Sequence, residues 1–457
     1  MTIRLRDLRG RRVVVWGDGN EGRAAVRVLT RHAPPSSLVV VVDDPAAARV
    51  DGDVPVLAGA EAEAAVAAAD VIVKSPGVSP YHGRFAARRG NAEVTGGSAL
   101  WFAETGGAHT IGVTGSKGKS TTSSLIAHVL GALGFDVTLA GNVGVAPLDV
   151  LDGDLSVPPP SERRYVFELS SFQTSELRHS PEVGVLTALF PEHLDWHETV
   201  ARYYADKCNL FAHRVDAKVA MNADNTDVAD RLSLVVGATP YGIDGSLHVD
   251  AMRVCDADGV AVVDLDGAGL RGRHNALNVA GALTAVRLAG IDLVRNRDAV
   301  ADAVGTFRPL AHRLEPIGTV AGRLVIDDGL STAPQAAIAA LAAYADRPVG
   351  IIVGGHDRGV DYGPLADALA DRTVPVWVLG VPESGARIIP LVAERARIQG
   401  NHLYTEQFDD FDAAVARALS MVPEGGVILL SPAAPSFGRF TNYVDRSRHF
   451  RELVGLA

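Results

Sequence analysis

The sequence predicts an α/β protein of three domains: a Rossmann-like N-terminal domain, a central P-loop domain with a mostly parallel sheet, and a C-terminal Rossmann-like domain. Three observations lead there. β-rich runs alternate with alanine-rich helical ones along the chain, the pattern of parallel strands joined by crossover helices. Two glycine-rich turns, at 17–22 and 112–118, each follow a strand-like run and open a helix-like one. The length, 457 residues, exceeds what one ordinary core holds.

The elements follow in order. Arg12–Trp16 reads as a buried strand, and Gly17–Gly22 as a turn opening a helix through Leu29. Leu38–Val42 and Asp70–Val73 are further strands, with a helix at Ala60–Ala69 between them. A second unit begins at Thr110–Val113, its helix running from about Ser120 to Leu133. The run Pro158–Ser161 is a surface loop, too short to link domains. A third unit begins near Phe307, with strands at Leu324–Ile326, Gly350–Val353, Val376–Leu379 and Val427–Leu430. The expected boundaries are 1–105, 106–304 and 305–457. No internal repeat or long low-complexity tract interrupts them.

Composition narrows the function. The chain is 47% apolar and 21% charged, as folded globular proteins are. The uncharged stretch Ser120–Phe135 is too short and too rich in Ser and Thr to span a bilayer. The N-terminus lacks an apolar core with a cleavage site. Two cysteines, Cys208 and Cys255, cannot build a disulfide framework. A cytoplasmic protein is expected, without a membrane. A net charge of −11 argues against nucleic acid held by broad electrostatics.

The strongest local signal is Gly112-Val-Thr-Gly115-Ser116-Lys117-Gly118-Lys119-Ser120-Thr121. Glycines let backbone N–H groups turn towards an anion, the helix N-terminus adds partial positive charge, and Lys119 reaches terminal phosphates. The Ser120 hydroxyl can ligate Mg²⁺. The loop departs from the usual pattern, with Val113 five residues before Gly118 and the glycine one place earlier. The Gly17-x-Gly19-x-x-Gly22 turn is weaker: it matches a dinucleotide fingerprint, with Asp43 or Asp44 at the spacing of a ribose-binding acid. Lys74-Ser75-Pro76-Gly77 ends a strand, where such sheets bind ligands. Glu168 closes the strand Tyr165–Phe167, and His193 follows the apolar run Val183–Phe190. Placed at the ends of neighbouring strands, they can hold Mg²⁺ beside a γ-phosphate.

Taken together these motifs resemble the Mur ligases, the ATP-dependent amino-acid ligases of peptidoglycan synthesis. The matching pieces are Thr114–Thr121, Gly141–Gly144, Glu168–Gln173, His193, Lys207 and Gly272-x-His274-Asn275-x-x-Asn278. Further matches are Arg308-Pro309-Leu310-Ala311-His312-Arg313, Asp327-Asp328 and Ser431-Pro432 through Phe450, in family order over nearly the whole chain. The resemblance implies a UDP-sugar domain, an ATPase domain and an amino-acid domain. The turn at Trp16–Gly22, Lys74–Gly77 and Ser436-Phe437 look most like the glutamate-adding members. Leu330 stands where the D-glutamate enzymes carry a lysine, and Arg358 where a lysine holds the amino-acid carboxylate. An arginine fork orients a carboxylate differently from a lysine point charge. These features look like an L-glutamate-adding branch, whose product a separate epimerase inverts; addition of D-glutamate is the alternative.

What the resemblance implies for residues is specific. Gly115, Ser116, Lys117, Gly118, Lys119, Ser120 and Thr121 hold the phosphates of ATP. Ser120, Glu168, His193 and Lys207 serve two Mg²⁺ ions, with Lys119, His193 and Lys207 catalytic and Lys207 carbamylated. Asn275, Arg313 and Asp328 contact the nucleotide. Ser75, Gly77 and Asn142 face the UDP-linked substrate, and Thr332, Arg358, Ser436 and Tyr443 the glutamate. ATP activates the substrate carboxylate as an acyl phosphate, which the glutamate amine then attacks. A closing motion is expected, because nucleotide contacts come from two domains. A monomer acting on small molecules is expected. The rivals are a folylpolyglutamate synthase-like ligase, which lacks the N-terminal UDP domain, and a non-catalytic nucleotide-binding protein.

Overall fold

The computed structural model describes residues 2–456 except 47, 51, 84, 86–88, 152–159, 161, 267, 309 and 402. Pro158, Pro159 and Ser161 of the expected loop, and Pro309 of the arginine motif, lie outside the described residues. Contacts divide the chain into two compact units, 1–264 with 277–306 and 265–276 with 307–457.

The first unit holds two parallel sheets. One has five strands in the order Val56–Leu57, Ser37–Val41, Arg12–Trp16, Val71–Lys74, Glu93–Gly96. The other has six, in the order Ala238–Tyr241, Lys218–Asn222, Val183–Leu186, Thr110–Thr114, Arg163–Glu168, Asp136–Gly141. Central strands such as Thr110–Thr114 and Val183–Leu186 are buried along their whole length. That is why they read as continuous apolar runs rather than alternating ones. A small antiparallel sheet (His248–Asp250, Arg253–Cys255, Ala261–Asp264) completes the unit. Its strands of three or four residues carry too little pattern to be legible in sequence.

The second unit is a six-stranded sheet in the order Glu315–Val320, Arg323–Asp327, Val427–Leu430, Val349–Val353, Val376–Gly380, Tyr404–Gln407. Five strands are parallel, and Glu315–Val320 runs antiparallel at one edge. Pro240 and Pro316 both fall in edge strands, the position where a missing N–H breaks no ladder on the outer side.

Two expectations are corrected. The helix after the first glycine turn runs Asn20–His32 and does not end at Leu29. The strands leading to Glu168 and His193 are not neighbours of each other: Thr110–Thr114 runs between them and pairs with both. Parallel strands pair through crossovers, so sequence order does not fix spatial order. The consequence is useful, since the two residues flank the phosphate loop instead of sharing one side of it.

Trp101, on the helix Gly97–Thr105, is fully buried and stands edge-on to Tyr165 and Phe167, with ring centroids 5.1 and 4.5 Å away. It thereby packs the helix that follows the first sheet against a strand of the second. Trp101→Ala should cost about 3–5 kcal/mol through lost contacts and the residual cavity, read as a lower denaturant midpoint. A loss below about 1 kcal/mol would show that these rings do not join the sheets.

Candidate active site

The phosphate loop is built by local backbone demands. Thr110–Thr114 feeds Gly115–Gly118, and the helix Lys119–Ala132 leaves it. Gly115 and Gly118 have φ of +148° and +89°, conformations in which a side chain is strained. Added Cβ atoms would also strike Thr187 Oγ1 and Asn278 Oδ1 respectively. The loop is pressed onto the segment after Val183–Leu186. Ser116 N donates to the Ala188 carbonyl (2.6 Å), and Ser116 Oγ donates to the Phe190 carbonyl (2.8 Å). Thr187 Oγ1 donates to the Lys117 carbonyl at 2.6 Å.

Three ammonium groups gather here. Lys119 Nζ donates to the carbonyls of Gly115 (3.0 Å) and Ser116 (3.2 Å). Lys207 Nζ donates to the same Gly115 carbonyl at 2.7 Å and lies 4.6 Å from the centre of the Tyr203 ring. Lys117 Nζ pairs with Glu192 at 2.7 Å. Lys207 is 2% exposed; burial first, and then the charge of Lys119, push its amine well below the usual lysine range. Burial raises the Glu192 carboxyl, but Lys117, Lys119 and His193 more than offset this and leave it below its usual value.

Glu168 ends the strand Arg163–Glu168. Its Oε1 accepts from Asn142 Nδ2 at 2.7 Å, while Oε2 is buried with no hydrogen-bond partner. An unsatisfied carboxylate oxygen away from water costs free energy unless a cation or donor meets it. Such an atom suits a hard divalent cation, which takes oxygen ligands. Ser120, buried in the first turn of the loop's helix, offers a hydroxyl of the same kind. His193 adopts a left-handed backbone (φ 55°, ψ 37°), and its carbonyl accepts from the Trp196 and His197 amides. Its ring meets Phe172 edge-on at 5.0 Å. Burial, aided by Lys207 and Lys119, lowers its imidazole to about 4, so the ring is neutral and has a lone pair for a metal. The Glu168 oxygen and the Ser120 hydroxyl are ligands of the kind Mg²⁺ takes.

Around this centre, Ser75 Oγ donates to the Gly17 carbonyl (3.1 Å), fastening the first glycine turn, while Gly77 is exposed. A Cβ at Gly22 would collide with the Gly17 carbonyl, which explains that glycine. Thr121 lies half-buried in the helix's first turn. Lys74, buried at its strand end, pairs with Glu176 at 3.0 Å.

The second unit brings other expected residues together. Arg358 Nη2 donates to the Thr332 carbonyl at 2.8 Å. Ser436 is buried; Tyr443 is exposed at the start of the helix Tyr443–Leu453, its ring 5.6 Å from that of His312. Asn275 donates to the Arg271 carbonyl at 2.8 Å. Both oxygens of Asp328 are engaged, by Ser431 Oγ (2.7 Å) and Leu314 N (3.1 Å), and burial raises its carboxyl to about 7. Arg313, half-buried, opposes that rise.

Several participants escaped sequence reading. Asn142, expected to face substrate, also donates to Glu168, a partnership no motif showed. Glu192, the partner of Lys117, carries no motif of its own. Thr187 and Tyr203 carry no motif. His197, fully buried between Asp206 (2.6 Å) and Ser171 (2.9 Å), had none either.

Comparison with known proteins bears on the whole chain. Residues 113–286 match the Mur ligase middle domain, and residues 312–434 match the Mur ligase glutamate ligase domain. A UDP-N-acetylmuramoyl-L-alanine–L-glutamate ligase of Micromonospora sp. is 45% identical over 469 residues, covering 99% of this chain and 98% of the relative. The enzyme of that name from Salinispora tropica is 43% identical over 470 residues, covering 99% of both. Among solved structures, the MurF ligase of Thermotoga maritima in complex with ADP aligns with a TM-score of 0.58 at 17% identity. It covers 99% of this chain and 97% of that one, a likeness of fold. With both domain models met in order, and relatives of this identity matched from end to end, the chain belongs to the Mur ligase family.

Proposed function

We propose that this chain joins L-glutamate to UDP-N-acetylmuramoyl-L-alanine at the expense of ATP, in the making of peptidoglycan precursors. The observation that carries the reading is the convergence of Lys117, Lys119 and Lys207 on one glycine loop beside the unpartnered Glu168 oxygen. That arrangement suits a polyphosphate accompanied by a divalent cation. The activity named for the relatives, with Leu330 and Arg358 in place of lysines, favours L-glutamate over D-glutamate.

A carboxylate resists attack by an amine while it bears its charge, so it is first phosphorylated. Transfer of the γ-phosphoryl group gives an acyl phosphate and ADP; the glutamate nitrogen adds to the acyl carbon, and the resulting intermediate expels phosphate. Loop amides and Lys119 hold the phosphates and offset charge that grows during transfer. Ser120 and Glu168 would hold one Mg²⁺, and His193 with Lys207 a second. Bound there, the metal would draw charge from phosphoryl and acyl oxygens. Lys207, its amine held well below the usual lysine range by burial, is suited to carbamylation. The lone pair of its unprotonated form adds to the carbon of CO₂, one N–H proton leaves to solvent, and the amine becomes a carbamate that offers an anionic oxygen. Asn275, Arg313 and Asp328 are read as nucleotide contacts, and Ser75 and Gly77 as contacts of the UDP-linked acid. Asn142 orients Glu168. Domain limits near 105 and 304, a monomeric enzyme in the cytoplasm and a downstream epimerase complete the reading. No helix among the described residues is long and apolar enough to cross a membrane.

Phosphate release from purified protein with ATP, Mg²⁺ and UDP-N-acetylmuramoyl-L-alanine should depend on L-glutamate. Release only with D-glutamate would reverse the stereochemistry, and none with either would overturn the function. Glu168→Gln should raise the Mg²⁺ needed for half-maximal rate by about tenfold or more, the usual scale for damage to a metal site, and an unchanged magnesium curve would remove Glu168 from it. Intact mass of the active enzyme should show one added CO₂ that Lys207→Met abolishes.

Acid should act through His193. Its imidazole takes a proton only near pH 4, against 6.5 for an ordinary histidine, so the acid limb of kcat should lie below pH 6. The unfolded chain takes up that proton first, so stability should also decline as pH falls from about 6.5 towards 4. An acid limb centred at 6.5 would contradict the buried, neutral ring.

A further inference from the structure

The second unit contains a buried cation that neither the motifs nor the reaction accounts for. Arg446 lies in the helix Tyr443–Leu453 and is 2% exposed. Its Nη2 donates to the carbonyls of Gly329 (2.9 Å) and Ala434 (3.2 Å). Its Nη1 stands 3.1 Å from where a Cβ on Gly355 would be, and Nε is buried without a partner. Gly329, Gly355 and Ala434 belong to three loops, each following one of three adjacent parallel strands: Arg323–Asp327, Val349–Val353 and Val427–Leu430. The same loops carry Thr332, Arg358 and Ser436, the residues read as the glutamate pocket. One guanidinium therefore reaches all three at the carboxyl edge of the sheet, where open parallel sheets bind their ligands.

The loops are also bonded to one another directly. His356 N donates to the Pro435 carbonyl (2.9 Å), Gly354 N to the Pro432 carbonyl (2.8 Å), and Arg358 to the Thr332 carbonyl (2.8 Å). A Cβ on Gly355, where φ is +150°, would collide with the Pro435 carbonyl, so the second and third loops approach as closely as backbone allows.

The charge is the second half of the argument. Among the described residues no carboxylate forms an ion pair with Arg446. Asp327, the one carboxylate that acts on it, is paired with Arg451 (3.1 Å) and His312 (2.8 Å) and accepts from Ser447 Oγ (2.8 Å). A desolvated cation bonded only to neutral carbonyls is costly for folding alone, and it places positive charge beneath these loops. An amino acid with two carboxylates is the class of ligand that such a charge favours.

We propose that Arg446 is the positioning residue of the amino-acid pocket, clasping the loops that bear Thr332, Arg358 and Ser436 and favouring a dicarboxylic amino acid there. This rests on the ligase reading above. The test is phosphate release by Arg446→Lys and Arg446→Met, with KM measured separately for L-glutamate, ATP and UDP-N-acetylmuramoyl-L-alanine. Arg446→Met should raise KM for L-glutamate by about tenfold or more, the scale of a lost charged hydrogen bond, with the other two KM values within about twofold. Arg446→Lys keeps the charge but loses the fork and should fall between Met and wild type. If Arg446→Met does not fold, Arg446→Lys decides alone, by a rise confined to glutamate. A common rise in all three KM values, or a fall in kcat with KM for glutamate unchanged, overturns the proposal. Wild-type protein that releases no phosphate with glutamate overturns the ligase reading itself, and this inference with it.

Discussion

Two ammonium groups meet on one carbonyl oxygen. Lys119 and Lys207 both donate to the Gly115 carbonyl, at 3.0 and 2.7 Å, and Lys117 follows two residues later in the same loop. Like charges held so close in a buried setting repel strongly unless one is neutral or an anion lies between them. Burial weakens the hold of Lys207 on its proton, and the Glu192 carboxylate pairs with Lys117. What remains is a concentration of positive potential at the start of a helix, ready for phosphates. The rest of the first unit arranges oxygen and nitrogen ligands around that potential.

The strand order makes this possible. Thr110–Thr114 lies between Arg163–Glu168 and Val183–Leu186, so the loop it feeds has Glu168 on one flank and the His193 segment on the other. Asn142, at the end of the next strand outward, reaches back to orient Glu168. Glu168 ends its strand, Ser120 lies in the first turn of the helix after the loop, and His193 follows the strand Val183–Leu186 by seven residues. The second unit repeats the device with a different charge, since its adjacent strands end in loops that the Arg446 guanidinium reaches.

The glycine loop was legible because its chemistry is contiguous: positive-φ glycines, two lysines and a Ser-Thr pair between a strand and a helix can be read from ten residues. Most long strands were legible for the same kind of reason, since burial on both faces leaves unbroken apolar runs. Edge strands were not, because Pro240 and Pro316 disguise them, and the three-stranded sheet is too short to show a period.

What the sequence alone determined about this protein was its α/β class, its phosphate loop and the identity of Glu168, His193 and Lys207 as candidates. Only the tertiary structure decided that Glu168 and His193 flank the loop, that Glu192 answers Lys117, and that Arg446 bonds to loops after two adjacent strands. The reason is physical. Local motifs depend on dihedral preference and adjacent chemistry, which neighbouring residues carry among themselves. Partnerships across a parallel sheet depend on which strands the crossovers bring side by side, and no short stretch of chain encodes that.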